Sequence, residues 1–208
     1  MVYRFLFVSF TLIRNIFTRT VVTGRENVPP GACIVVANHV NLLDSPLLGI
    51  SLGRRVYFMA KKELFENRMV GFFTRRFGGF PVEKGVLDRR GGKTALDHLA
   101  RGRVLVIFPE GKRSPDGKMG PAYNGAALLA CHTGAPVVPV GITGTARLSG
   151  KAWPFHRPQI ALNIGPSFRL TCSSGTLSKE MTSRFAEEIM NHIAARLPEE
   201  YRGRYKPV

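Results

Sequence analysis

The sequence predicts an α/β fold: a single domain with a mostly parallel mixed sheet flanked by helices, preceded by an N-terminal amphipathic helix. Three observations predict it. Short apolar runs alternate along the chain with longer segments of helical period, the pattern of parallel strands joined by helical crossovers. Two of those runs lead directly into polar clusters, Asn38–Asp44 and Phe108–Ser114, as expected at the carboxyl edge of such a sheet. The first 17 residues carry a separate apolar pattern that fits neither a strand nor a core helix.

Val2 to Phe17 is rich in Phe, Leu, Ile and Val. A membrane-spanning helix needs roughly 20 apolar residues; this run is shorter, and Arg4 and Arg14 interrupt it. No small-residue cleavage site follows, so it is not read as a signal peptide. At about 100° per residue, Arg4, Thr11, Arg14, Asn15 and Thr18 share one arc. Val2, Tyr3, Phe5, Leu6, Phe10, Leu12, Ile13, Ile16 and Phe17 fill the opposite arc, with Ser9 the polar exception there. Phe7 and Val8 intrude on the polar side. Such a helix either lies in the headgroup layer of a bilayer or packs its apolar face on the domain, and its aromatic content favours the bilayer. The boundary expected from this is residues 1–20 for the interfacial helix and 21–208 for the domain.

Within the domain, Val21 to Gly31 reads as a connector, with Pro29-Pro30-Gly31 as turn residues. Cys33–Ala37 is a buried strand. Ser45-Pro46 reads as a helix N-cap followed by proline at the first helical position, in a helix ended by Gly53. Val56–Ala60 is a second strand, Glu63–Phe77 a helix broken near Asn67, and Phe80–Val82 a third strand. Asp88–Ala100 is a helix ended by Gly102, and Val104–Phe108 is the clearest strand. Tyr123–His132 is an alanine-rich helix, followed by strands at Val137–Ile142 and Gln159–Ile164. Thr176–Leu197 closes the chain as a helix whose Met181, Phe185, Ile189 and Ile193 recur every fourth residue as a core stripe.

Composition narrows the function classes. The chain has 208 residues, 44% hydrophobic and 21% charged, which excludes a disordered chain and favours one domain. Thirty Lys and Arg against 14 Asp and Glu give a net charge of +16, so the partner is a polyanion: nucleic acid or an anionic membrane surface. No interleaved aromatic ribonucleoprotein motif, zinc finger or clear helix-turn-helix is present, which argues against nucleic acid. Residues 54–93 hold 11 Lys or Arg against 4 Asp or Glu, a stretch suited to anionic lipid. Cys33, Cys131 and Cys172 lack metal-site spacing and read as reduced, mostly buried thiols of a cytosolic protein. No metal site is expected.

His39 and Asp44 stand five residues apart, so they meet only if the chain turns between them, as a strand-to-helix junction allows. A carboxylate on one imidazole nitrogen would leave the other as a base. The competing reading is a hydrogen-bonded turn histidine beside a helix-capping aspartate. His98, His132, His156 and His192 have no partner spacing and read as structural or surface residues. Trp153 suits the headgroup layer, the core or the surface equally well.

With these motifs in order, the chain resembles the glycerolipid acyltransferase family, in particular bacterial 1-acyl-glycerol-3-phosphate acyltransferases. His39-x4-Asp44 resembles the first block and Gly79-Phe80-Pro81-Val82-Glu83-Lys84-Gly85 the second, with Lys84 where arginine is usual. Phe108-Pro109-Glu110-Gly111-Lys112-Arg113-Ser114 resembles the third, with Lys112 in place of the usual threonine, and Val138-Pro139-Val140 the fourth. The resemblance implies a glycerol-3-phosphate acyltransferase-like fold and His39 as general base oriented by Asp44. It implies that Arg113, helped by Lys84 and Lys112, binds the acceptor phosphate. Glu110 would hold Arg113 or a glycerol hydroxyl, and Gly111 would let the backbone approach the acceptor.

The implied reaction carries an acyl group from acyl-CoA or acyl carrier protein to lysophosphatidic acid, giving phosphatidic acid, with no cofactor. The implied place is the cytoplasmic face of the cell membrane, peripherally bound. Alternatives are another lysophospholipid or an aminolipid as acceptor, or a non-enzymatic basic module.

Overall fold

The computed structural model describes residues 2–83, 89–149, 153–172 and 177–208. The first helix, α1, spans Val2–Phe17, and β1 follows at Arg19–Thr23. Then come β2 (Cys33–Ala37), α2 (Asp44–Ser51), β3 (Val56–Lys61), α3 (Arg68–Arg76), β4 (Gly79–Val82) and α4 (Arg89–Ala100). The second half runs β5 (Val104–Ile107), α5 (Gly125–Thr133), β6 (Val137–Thr143), α6 (Trp153–His156), β7 (Gln159–Ile164) and α7 (Lys179–Ala194).

The seven strands form one sheet in the order β1-β7-β6-β2-β5-β3-β4. Every neighbouring pair is parallel except β6 and β7, which run antiparallel. The central strands are apolar throughout because both of their faces are covered. Alternation along β2 sorts its side chains: Ile34 and Val36 join one core layer with α4, α5 and α7, and Cys33, Val35 and Ala37 join the other with α2. Burial pushes the Cys33 thiol up to about 11.

Four expectations shift. Part of the expected connector is β1, an edge strand that pairs with β7 in parallel, Arg19 opposite Gln159. Its side chains alternate between exposed and half-buried, so it carries no apolar run for a sequence reading to find. The helix expected from Ser45 begins one residue earlier, at Asp44, and Ser45 makes no capping bond. The N-cap of α7 is Ser178, whose hydroxyl accepts from the Met181 N–H, and Met181 itself is exposed while Phe185, Ile189 and Ile193 are buried. The thiols differ most: Cys131 and Cys172 form a disulfide, their Cα atoms 5.5 Å apart, and only Cys33 is free. That pair joins the end of α5 to the segment before α7, elements brought together by the fold and not by spacing.

The break expected near Asn67 is a helix boundary. A 3-10 turn at Lys62–Phe65 precedes it, and the Asn67 side chain caps α3 by accepting from the Met69 and Val70 N–H groups.

Candidate active site

Strands β2 and β5 lie side by side and parallel, with Val36 opposite Ile107. The chain therefore leaves both at the same edge, and the two polar clusters converge there. Asn38 extends β2 by one buried step: its amide donates to the Ile142 carbonyl and its oxygen accepts from the Ile142 N–H, fixing the loop to β6.

The next residue is His39. Its Nδ1 lies 2.8 Å from Asp44 Oδ2. The same oxygen accepts from the Val40 and Asn41 N–H groups, each at 2.8 Å. The turn needed to bring the pair together is thus built by Asp44 itself, which gathers the loop around one carboxylate before α2 begins. A carboxylate only accepts, so Nδ1 carries the proton and Nε2 keeps its lone pair for a substrate. Asp44 is fully buried, while the His39 side chain is 16% exposed. Phe108, the first residue after β5, stacks on the imidazole with centroids 4.1 Å apart and planes 20° from parallel.

The two loops are stitched through the His39 backbone. Glu110 Oε1 accepts from the His39 N–H at 3.1 Å, and the Ser114 N–H donates to the His39 carbonyl at 2.7 Å. Glu110 Oε2 accepts from the Gly120 N–H at 2.9 Å. Glu110 is 2% exposed. Burial raises its pKa above the ordinary carboxyl range, against the pull of the two N–H groups. The expected contact of Glu110 with Arg113 or with a glycerol hydroxyl is therefore replaced: its carboxylate braces backbone beneath the site. Gly111 turns here with φ +63°, and a Cβ at that position would stand 2.8 Å from the Tyr123 ring. The demand for glycine is a close side-chain approach combined with a left-handed backbone.

His39 opens into a groove of about 1540 Å³ that is also lined by Gly111, Lys112 and Arg113. Among the described residues no carboxylate lies within ion-pair distance of Lys112 or Arg113. Away from His39 the walls turn apolar, with Phe58, Met59, Leu64, Phe73 and Phe77 from β3, α3 and the turns beside them. Phe10 and Ile13 of α1 close one side. The structure thus brings His39, Asp44, Gly111, Lys112 and Arg113 to one place and puts Glu110 under it. Lys84 lies outside the described residues. Sequence reading missed Phe108 as the platform for the imidazole and Asn38 as the anchor to β6; position directly after a strand was the one signal for both.

A buried carboxylate orienting an imidazole, a cationic rim and a lipid-sized apolar groove at the strand ends define an enzyme built around a histidine base. A family model described as Acyltransferase matches residues 19–143, so the chain belongs to that family. The 1-acyl-sn-glycerol-3-phosphate acyltransferase of Bacillus subtilis is 30% identical over 193 residues, covering 92% of this chain and 94% of that protein. A chloroplastic protein of the same description from Brassica napus is 34% identical over 138 residues; the match takes in 64% of this chain but only 39% of the plant protein. Among solved structures, the 1-acyl-sn-glycerophosphate acyltransferase PlsC of Thermotoga maritima matches with a TM-score of 0.67 and 30% identity, over 90% of this chain and 77% of that one.

Proposed function

We propose that the protein transfers a fatty acyl group from a thioester to the sn-2 hydroxyl of 1-acyl-glycerol-3-phosphate, giving phosphatidic acid. The observation that carries this reading is the His39–Asp44 pair at the mouth of an apolar groove that also holds Arg113. The names of the relatives point the same way.

In this scheme the acceptor hydroxyl hydrogen-bonds to His39 Nε2. The hydroxyl oxygen attacks the thioester carbonyl as Nε2 takes its proton, and the imidazolium is stabilised by Asp44. The tetrahedral intermediate collapses, the carbon–sulfur bond breaks, and the proton on Nε2 passes to the departing thiolate. An ester and a free thiol leave. The donor is acyl-CoA or acyl carrier protein, and no cofactor takes part. Arg113 presents a planar fork to the acceptor phosphate. Lys112 and Lys84 add charge beside it.

The acyl chains of both substrates start in a bilayer, so the groove must meet one. Three features support peripheral attachment to an anionic leaflet, read here as the cytoplasmic face. The net charge is +16. No helix among the described residues is long and apolar enough to cross a membrane. Leu12 and Ile16 of α1 are 56% and 60% exposed although both are large and apolar. The polar arc of α1, by contrast, is turned inward: Thr18 is buried and Arg14 half-buried.

The test is a turnover assay of the purified chain with a panel of lysolipids, offering acyl-CoA and acyl carrier protein in turn. Lysophosphatidic acid is expected to be the preferred acceptor. His39→Ala is expected to lose at least about 10³-fold in kcat with an unchanged melting temperature. Near-normal turnover in that variant, or preference for an acceptor without phosphate, overturns the proposal.

A further inference from the structure

α3 is an unusual helix. It runs Arg68–Arg76, and only Gly71 is buried. Met69 is 71% exposed, Phe72 47% and Phe73 44%. An ordinary surface helix hides its large apolar side chains against the domain, yet here they point outward. What fixes the helix is backbone contact: a Cβ on Gly71 would stand 2.9 Å from the Phe65 carbonyl oxygen, so the helix lies directly on the preceding turn.

The helix carries three arginines and no acidic residue. Two of them sit over aromatic rings at the edge of the apolar face, Arg75 at 4.8 Å from the Phe65 ring centre and Arg76 at 5.0 Å from that of Phe72. That arrangement leaves the cations at the boundary between apolar and polar surface. Phe77, just past the helix, meets Phe10 of α1 edge-on with centroids 5.5 Å apart. The outward apolar surface therefore continues from α1 to α3 around one rim of the groove, which both helices line.

We infer that α3 is a second membrane foot: Met69 and Phe72 enter the acyl–headgroup boundary of an anionic bilayer while Arg68, Arg75 and Arg76 hold its phosphates. The inference rests on the proposed lipid reaction and adds to it the surface by which the groove mouth is pressed against its substrate. A bilayer is the occupant because the exposed residues are large, apolar and ringed by cations of one sign, and because they continue the exposed face of α1. An acidic carrier protein would meet the same charges, and the experiment separates the two.

The full chain is tested against vesicles of phosphatidylglycerol and phosphatidylcholine in equal parts. Met69→Ser combined with Phe72→Ser leaves the groove lining intact. It is expected to lower vesicle partitioning by about tenfold or more, the scale of two partly buried apolar side chains. Turnover of a short-chain lysophosphatidate dispersed as single molecules is expected to stay unchanged. A Met69→Trp variant on a Trp153→Phe background should blue-shift with vesicles and be quenched by lipids brominated on the acyl chain. Unchanged partitioning of the double variant overturns the inference. So does weakened binding to acyl carrier protein with vesicle binding intact, or dissociation of a dimer in its place. If the unmodified chain turns over no dispersed lysophosphatidate, the reaction reading fails, and vesicle partitioning still decides α3 by itself.

Discussion

Around His39 the polar groups close on one another: Asp44 Oδ2 takes three donors, and Glu110 takes the N–H groups of His39 and Gly120. On the outer faces of α1 and α3 the reverse holds, with large apolar side chains exposed on helices of ordinary length. One region is finished within the chain; the other is complete only against something else. A base must be held to within a fraction of an ångström before it is useful, so its supports are internal and buried. A surface that meets a fluid bilayer needs area and charge but no fixed partner. The contrast teaches where each kind of substitution will register: in rate and folding at the first region, in partitioning at the second.

The sharpest way to break this comparison is Asp44→Asn. The amide can still accept from the backbone N–H groups but no longer offers the charge that stabilises an imidazolium. Turnover is expected to fall by about 10²–10⁴, with melting nearly unchanged, measured by thiol release and thermal denaturation. A mild loss of rate would mean that the buried pair is a turn device and not a catalytic one.

Arg113→Ala comes next. A charged hydrogen bond is worth about 1.5–3 kcal/mol, so KM for the acceptor should rise on the order of 10- to 100-fold. KM for the donor should move by less than about twofold, because a phosphate of the acceptor is the group being lost. Equal changes in both would remove Arg113 from the acceptor site.

Glu110→Gln tests the buried brace. One of two buried N–H groups would face an amide NH2 and lose its acceptor, at a cost of about 1–3 kcal/mol in stability. There is also a signature in pH. Burial raises the Glu110 pKa, so the folded protein holds that proton more tightly than the unfolded chain does. This group's contribution therefore favours folding below its ordinary range and is lost as pH rises through the raised value. Urea melts at several pH values should show that slope in the parent and its absence in the variant.

The sequence carried the site further than the scaffold around it. Buried strands such as Val104–Ile107 were legible because an apolar run between turn residues has few other readings. The His39–Asp44 pair was legible as a spacing plus a required turn, and the resemblance supplied its role. β1 was not, because Val21 is half exposed and the partner of this strand, β7, lies near the other end of the chain. Nor was the task of Glu110, whose partners are backbone N–H groups that no residue pattern records. The Cys131–Cys172 bond depends on two segments meeting only in the fold.

The smallest expected effect probes the outer face. Leu12→Ser with Ile16→Ser removes two large apolar side chains from α1, where both are already exposed to water. Folding hides little of either, so without lipid the stability should stay within about 0.5 kcal/mol of the parent. Ile189, fully buried in α7 against the sheet, is the control: Ile189→Ala should cost about 2–5 kcal/mol. Added anionic vesicles should then separate the two variants in the opposite sense, with the α1 pair losing partitioning and the Ile189 variant keeping it under conditions where it remains folded. A large loss of stability from the α1 pair in lipid-free buffer would show that this face is folded against the domain in solution, and the distinction between the two regions would collapse.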